Sequence, residues 1–169
     1  MSLPTQPLRD EHAGLFPSVD RIKQTAELIG KASSEEICKG LEEVYDFLAH
    51  HLKIHAGAEE AALYPVVQKL LGSPDATKTM SRDHMEIGRY IDELAALKQC
   101  PSDGKFSPEH SESLRRALYG VYALVKIHFE KEEEVYLPIL DQRMTAEEVR
   151  EMYTKMEAAA HEAMQALAG

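Results

Sequence analysis

Apolar residues in this chain recur every three or four positions over long stretches and rarely alternate, which is the pattern of amphipathic helices. Gly and Pro interrupt the pattern at 30–33, 72–74, 100–108 and 141–145. Start signals follow those breaks. Ser33-x-x-Glu36 and Thr145-x-x-Glu148 read as capping boxes, and Ser73-Pro74-Asp75 and Ser107-Pro108-Glu109 each place an N-cap before a proline at the first helical position. Five helices are predicted, at roughly 8–29, 34–71, 74–98, 108–141 and 146–167, and strand signals are close to absent. Four long helices with short connections make an antiparallel four-helix bundle, with the fifth packed outside it. The expected organisation is a single all-α domain over 1–169, with the bundle at 8–141 and an extra C-terminal helix at 146–167.

Three prolines fall inside these patterns. Pro17 is expected to kink helix 1, Pro65 to kink or end helix 2, and Pro138 to do the same near the end of helix 4. Met152, Met156, Ala160, Ala163, Met164 and Leu167 form one stripe on the fifth helix, read as facing the core.

Composition narrows the function. Apolar residues make up 44% and charged residues 28%, a balance that folds, and 169 residues can bury a core without staples. Nineteen Lys+Arg against 29 Asp+Glu give a net charge of −10, which argues against a nucleic-acid or anionic-membrane partner. No apolar run is long enough to span a bilayer, and MSLPTQPLRDEH lacks the apolar core of a secretory signal. Cys38 and Cys100 stand isolated, neither a disulfide framework nor a zinc site, so a reducing cytoplasm is the expected location.

The chemistry lies in an internal repeat. HAGAEEAALYP (55–65) and HFEKEEEVYLP (128–138) both run His, three residues, Glu-Glu, then Pro ten residues after the His. Each follows an earlier histidine at nearly the same distance, His12 and His84, in the similar contexts RDEHAG and SRDHME. The chain therefore reads as two helical hairpins related by a pseudo-twofold, each presenting one His from its first helix and His-x-x-x-Glu from its second. An i, i+4 pair projects from one helix face, one turn apart. At 1.5 Å per residue, His12 stands about 26 Å and His55 about 32 Å from their shared turn, within roughly a turn of each other. His84 and Glu59 match in the same way across the next turn, and the connection at 99–107 must absorb a poorer match between helices 3 and 4.

Each hairpin offers two imidazoles and one carboxylate: His12, His55 and Glu59, then His84, His128 and Glu132. Two such sets facing each other suggest a pair of metal ions, with the carboxylates able to span both. Mixed nitrogen and oxygen ligation without thiolate leans to iron, then manganese, although imidazole alone suits zinc or copper. Burying six such groups without a cation would be costly. The remaining members of the Glu59-Glu60 and 132–134 runs are expected on solvated faces. His51, one turn before His55, is an extra ligand, an outer group or a cavity wall; His50, His110 and His161 are expected at the surface or in a second layer. Tyr64, Tyr119, Tyr122 and Tyr136 are expected in the core, one of them placed to donate a hydrogen bond to a bound oxygen ligand.

DEH at 10–12, HAGAEEAALYP at 55–65, RDHMEIGR at 82–89 and HFEKEEEVYLP at 128–138 resemble a hemerythrin-like (HHE cation-binding) domain, and the stretch 8–141 is similar to small stand-alone bacterial proteins of this kind. The resemblance implies a four-helix bundle with two non-haem irons, carboxylate-bridged and oxo- or hydroxo-bridged. It places ligands at His12, His55, Glu59, His84, His128 and Glu132, with the two glutamates bridging. Two departures from the oxygen-carrying members stand out. Their second helix-3 histidine, one turn after the first, is replaced here by Gly88. Their last carboxylate, an Asp five residues after the final His, has two counterparts, Glu132 at plus four and Glu133 at plus five; the first hairpin's spacing favours Glu132.

Losing an imidazole moves the expectation from oxygen carriage toward peroxide or nitric oxide chemistry, or toward redox and iron sensing. Any peroxide-consuming, catalase-like activity would be metal-centred, without a side-chain nucleophile. The alternative is a non-enzymatic iron or redox sensor, or an oxygen-binding module. Expected partners are a small diatomic or peroxide ligand, with no nucleic acid and no membrane, in a monomer or weak homo-oligomer. Ferritin-like di-iron sites use Glu-x-x-His, and none of the eight histidines has Glu three residues before it.

Overall fold

The computed structural model describes residues 3–168, leaving Met1, Ser2 and Gly169 outside, and has no strand among the described residues. Five helices follow one another: α1 (Gln6–Leu28), α2 (34–71), α3 (Lys78–Leu97), α4 (108–143) and α5 (Ala146–Ala168). α1 packs along α2 and α4, and α3 packs along α4. α5 crosses the outside of the bundle against residues 53–63 of α2. No helix is long and apolar enough to cross a membrane among the described residues.

Three of the four start signals act as read. Ser33 and Glu36 cap each other's backbone reciprocally, as do Thr145 and Glu148, and Ser107 accepts from the His110 backbone N–H. Ser73 does not start a helix. Its hydroxyl accepts from the Asp75 backbone N–H two residues on, a turn contact, so α3 begins at Lys78 and not at 74. Gln68 and Tyr136 then secure that turn, donating to the Thr77 hydroxyl and the Ala76 carbonyl. α2 ends on Gly72 at φ 68°, a left-handed position that suits glycine.

α1 runs through Pro17, α2 through Pro65 and α4 through Pro138. The last two prolines follow π-helical turns, Glu59–Leu63 and Glu132–Tyr136, and sit in the first turn of the α-helical stretch that resumes. A missing N–H is tolerated there. A further π segment, Phe47–Leu52, precedes His55 in α2. Each π-turn of the repeat opens on a glutamate of the candidate ligand set, and such turns are frequent at functional sites.

Two apolar clusters fill the interior. One joins Val19 and Ile22 of α1 to Leu48 of α2, Ile91 of α3 and Val125 of α4; the other joins Leu8, Leu63, Met80 and Leu137 to Val149, Met152 and Met156 of α5. Where α3 meets α4, Gly120 lies against the Tyr90 ring, and a Cβ there would clash with its hydroxyl.

Three expectations about individual residues are overturned. The α5 stripe is core only in its first half: Met152 and Met156 are buried, while Met164 and Leu167 are 50% and 61% exposed. Tyr119 is exposed, unlike the buried Tyr64 and Tyr136 and the half-buried Tyr122. Cys38 and Cys100 are not isolated in space. The connection after α3 folds back over the start of α2, and the two form a disulfide across a sequence separation of 62 residues; the Ser34 hydroxyl meets the Gly104 carbonyl beside it.

Candidate metal centre

The six residues of the repeat come together between the two apolar clusters. On α1, His12 lies between Leu8 of one cluster and Val19 of the other; on α3, His84 lies between Met80 and Ile87. His55 and Glu59 on α2, and His128 and Glu132 on α4, occupy the same level. Glu59 and Glu132 are wholly buried and His12 nearly so. Helix periodicity aims all six side chains inward, since each His and Glu of a pair is one turn apart.

The distances define two subsites. Glu59 Oε1 is 2.8 Å from His55 Nε2 and 3.8 Å from His12 Nε2, while Glu59 Oε2 is 3.2 Å from His84 Nε2 and 3.9 Å from His128 Nε2. Glu132 divides its oxygens too, with Oε2 3.5 Å from His12 Nε2 and Oε1 3.5 Å from His128 Nε2. Each carboxylate thus presents one oxygen to each imidazole pair, the geometry of a bridging ligand. Two groups could each hold an ion, His12-His55-Glu59-Glu132 and Glu59-His84-His128.

The donor atoms fit a cation. His12 Nε2, His55 Nε2, both Glu59 oxygens and Glu132 Oε2 are buried without a hydrogen-bond partner, although buried polar atoms are normally paired. Short contacts such as the 2.8 Å between His55 and Glu59 bring these atoms close without hydrogen-bond alignment. Lone pairs converging in a dry interior need positive charge to offset their burial. Two nitrogens with carboxylate oxygens and no thiolate match iron or manganese among transition metals.

Behind each of the four imidazoles stands a carboxylate on Nδ1: Glu133 at 2.8 Å on His12, Glu11 at 2.9 Å on His55, Glu60 at 2.9 Å on His84 and Asp83 at 3.2 Å on His128. Such partners fix the tautomer so that Nε2 is free for a metal, and they raise ligand basicity. Glu60 is exposed, as expected of its run, and yet holds His84, while Glu133 is half-buried against His12; of the three glutamates at 132–134, Glu134 alone is exposed to solvent. The pattern follows the repeat. The acidic residue just before the first His of a hairpin holds that hairpin's second His, and the one just after each inner glutamate holds a His of the other hairpin. The paired spellings DEH/RDH and EE/EE carry this signal. Glu132 enters the site and Glu133 backs His12, which separates the two candidates for the last carboxylate.

The field in the site is strong. Burial opposes a charged His55 ring, but the nearby Glu59 charge and the Glu11 hydrogen bond outweigh it and hold His55 well above its ordinary pKa. His128 is pushed up to about 9, burial again being outweighed, here by Asp83, Glu59 and Glu132. Burial would raise Glu59, yet the surrounding histidines hold it well below the usual carboxylate range. Burial and the Glu59 charge push Glu132 well above that range. The pair thus behaves as a site with two buried carboxylates competing for positive charge.

Tyr64 closes one side. Its ring stacks on His84 at 5.4 Å and its hydroxyl donates to Glu132 Oε1 at 2.9 Å, lying 3.4 Å from His84 Nε2. Burial and the Glu59 and Glu132 charges hold the phenol far above its usual pKa. Opposite, Phe129 stacks on His12 at 4.6 Å. Gly88 has open space where a side chain would begin. His51 does not fill the gap: it is 65% exposed, its Nε2 is 3.9 Å from Asp46, and it lines a surface cavity. His50 pairs with Asp46, His110 with the Leu97 carbonyl at the end of α3, and His161 with Gln165.

Comparison with known proteins agrees with this picture. The chain is 26% identical over 129 residues to a protein named DNA nickase from Nostoc sp.; the match covers 76% of this chain and 34% of the relative, so this chain spans about a third of that protein's length. No solved structure matches it significantly. The hemerythrin HHE cation-binding domain matches residues 3–140, the stretch that supplies all six inner residues and the four carboxylates behind them. The chain belongs to the hemerythrin HHE cation-binding domain family.

Proposed function

We propose that the chain is a non-haem di-iron protein that binds or turns over a small oxygen or nitrogen species (dioxygen, peroxide or nitric oxide) in a redox or oxidative-stress response. The observation that carries this reading is the division of the Glu59 carboxylate between two imidazole pairs. Two irons held there would supply an electrophilic, redox-active centre.

The chain's own residues do the rest. His12 and His55 would hold one ion and His84 and His128 the other, with Glu59 and Glu132 presenting an oxygen to each pair. Glu11, Asp83, Glu60 and Glu133 keep the four rings oriented. Phe129 and Tyr64 wall the site from water. The second pair lacks a third imidazole at Gly88, and the Tyr64 hydroxyl lies 3.4 Å from the Nε2 of His84, on the inward side of that ring. It stays protonated and can complete the site or donate to an exogenous ligand. A monomer or weak homo-oligomer is proposed, and the Cys38–Cys100 disulfide removes the argument from isolated cysteines for a reducing cytoplasm. A net charge of −10 argues against a nucleic-acid partner, and this chain spans about a third of the longer relative, so that protein's nickase activity is not carried over.

The test is peroxide, azide and nitric oxide addition to iron-loaded protein, followed by absorption spectroscopy and peroxide consumption. The reading predicts charge-transfer bands that respond to at least one of the three, with both irons retained. Bands indifferent to all three would contradict it. The unpartnered buried nitrogens and oxygens favour a second reading, a sensor whose fold depends on metal. A sensor would lose helical stability and expose surface on iron removal without consuming peroxide.

A further inference from the structure

Three of the four carboxylates behind the imidazoles are secured from within the bundle. Glu133 takes a salt bridge from Arg9 of α1, Asp83 one from Lys131 of α4, and Glu60 a 2.9 Å hydrogen bond from Ser81 of α3. Glu11 is different. One of its oxygens takes His55 Nδ1; the other accepts from the Tyr153 hydroxyl at 3.3 Å, and Tyr153 lies on α5, beyond the residues 3–140 of the family match. No other hydrogen-bond donor serves that oxygen among the described residues.

We infer that Tyr153 is a positioning residue of the metal centre: through Glu11 it holds the His55 ring, so that retention of the ion bound by His12 and His55 depends on the docked C-terminal helix. The inference rests on the metal-binding reading above and assigns α5 a role in it.

The surroundings support the link. Val149, Met152 and Met156 bury α5 against the bundle on the faces that flank Tyr153. A cavity of about 230 Å³ opens beside it, lined by Glu11, His51, His55, Tyr153, Met156 and Met164. With no packed side chain ready to replace the hydroxyl, water would take its place on Glu11. Burial and the Glu11 charge push the Tyr153 phenol up to about 12, so it stays a donor at any physiological pH. His84 has an equivalent arrangement through Glu60 and Ser81, but there the anchor is part of the bundle. The two ions should therefore respond differently to changes in α5.

The experiment uses the full chain loaded with cobalt(II), and follows release of each ion to a chelator by its visible spectrum. Tyr153→Phe keeps the ring and removes only the donor. It should release one of the two ions several-fold faster, less than the roughly 10–100-fold expected for losing a carboxylate directly behind a ligand. The metal-free melting temperature should stay unchanged. Glu11→Gln should accelerate the same ion more, and adding Tyr153→Phe to it should add nothing, because both act on one contact. Ser81→Ala should accelerate the other ion. Wild-type release rates in Tyr153→Phe would overturn the inference; so would equal acceleration of both ions with a lowered metal-free melting temperature, which marks general loosening. A wild-type chain holding a single ion would sink the two-metal reading, while the same comparison on that ion still decides the role of Tyr153.

Discussion

His84 Nε2 and His128 Nε2 face each other at 3.0 Å, two ring nitrogens with a carboxylate oxygen of Glu59 3.2 Å from the first. Both rings already have Nδ1 bound to a carboxylate, so in their neutral forms the facing Nε2 atoms would present lone pairs to each other. A cation shared by the two explains that approach. His128→Ala should therefore remove one ion and leave the His12-His55 ion in place, taking metal content from two per chain to about one. Elemental analysis checks this; loss of both ions, or of neither, would contradict the pairing.

The inner and outer carboxylates should separate in strength. Glu59→Ala and Glu132→Ala should abolish paired binding, because each serves both subsites. Glu60→Ala and Glu133→Ala should weaken binding by about 10–100-fold. Glu134→Ala, on an exposed side chain, should leave it unchanged. Metal titration of the five variants orders them; Glu60 and Glu134 behaving alike would show that the hydrogen bond to His84 does no work.

Stabilisation by metal should grow between about pH 6.5 and 9. His128 has its pKa raised to about 9 in the metal-free fold, against about 6.5 in the unfolded chain. A raised group contributes stability that is complete below the unfolded value and lost as pH climbs through the folded one. His55 and Glu132, both raised, act with the same sign. Glu59, held low, loses its contribution only in acid. Metal binding needs neutral rings and so strengthens over the same interval. Melting curves with and without zinc should diverge as pH rises; a constant gap from pH 6.5 to 9 would contradict the assignment of these rings.

Reducing the Cys38–Cys100 bond should lower stability by up to about 4 kcal/mol, the chain-entropy value for a loop of this size. Metal content should not change, because Cys38 lies 17 residues, or about 26 Å of helix, before His55. Denaturant unfolding with and without reductant measures the first, elemental analysis the second.

The helices and the six inner residues were legible because both rest on short-range rules, a 3.6-residue apolar period and an i, i+4 pair repeated at matched heights. What stayed hidden depends on three dimensions. Ser73 has the spelling of an N-cap, but its hydroxyl closes a turn and Gln68 anchors Thr77 in its place. Cys38 and Cys100 are far apart along the chain and meet only because the connection after α3 doubles back. Glu60 and Glu133 look solvated, since a residue next to an inward one should point away; their long side chains reach across to histidines of the other hairpin. The reach of Tyr153 to Glu11 spans 142 residues and has no local signature.

The central claim is that one buried carboxylate pair bridges two metals. Metal content and the absorption spectrum of aerobically purified protein, measured beside those of Glu59→Ala, test it most directly. The account predicts about two irons per chain with charge-transfer bands that change on adding peroxide, and loss of the paired site in the variant. One ion, zinc alone, or no metal in a protein that is still helical would contradict it.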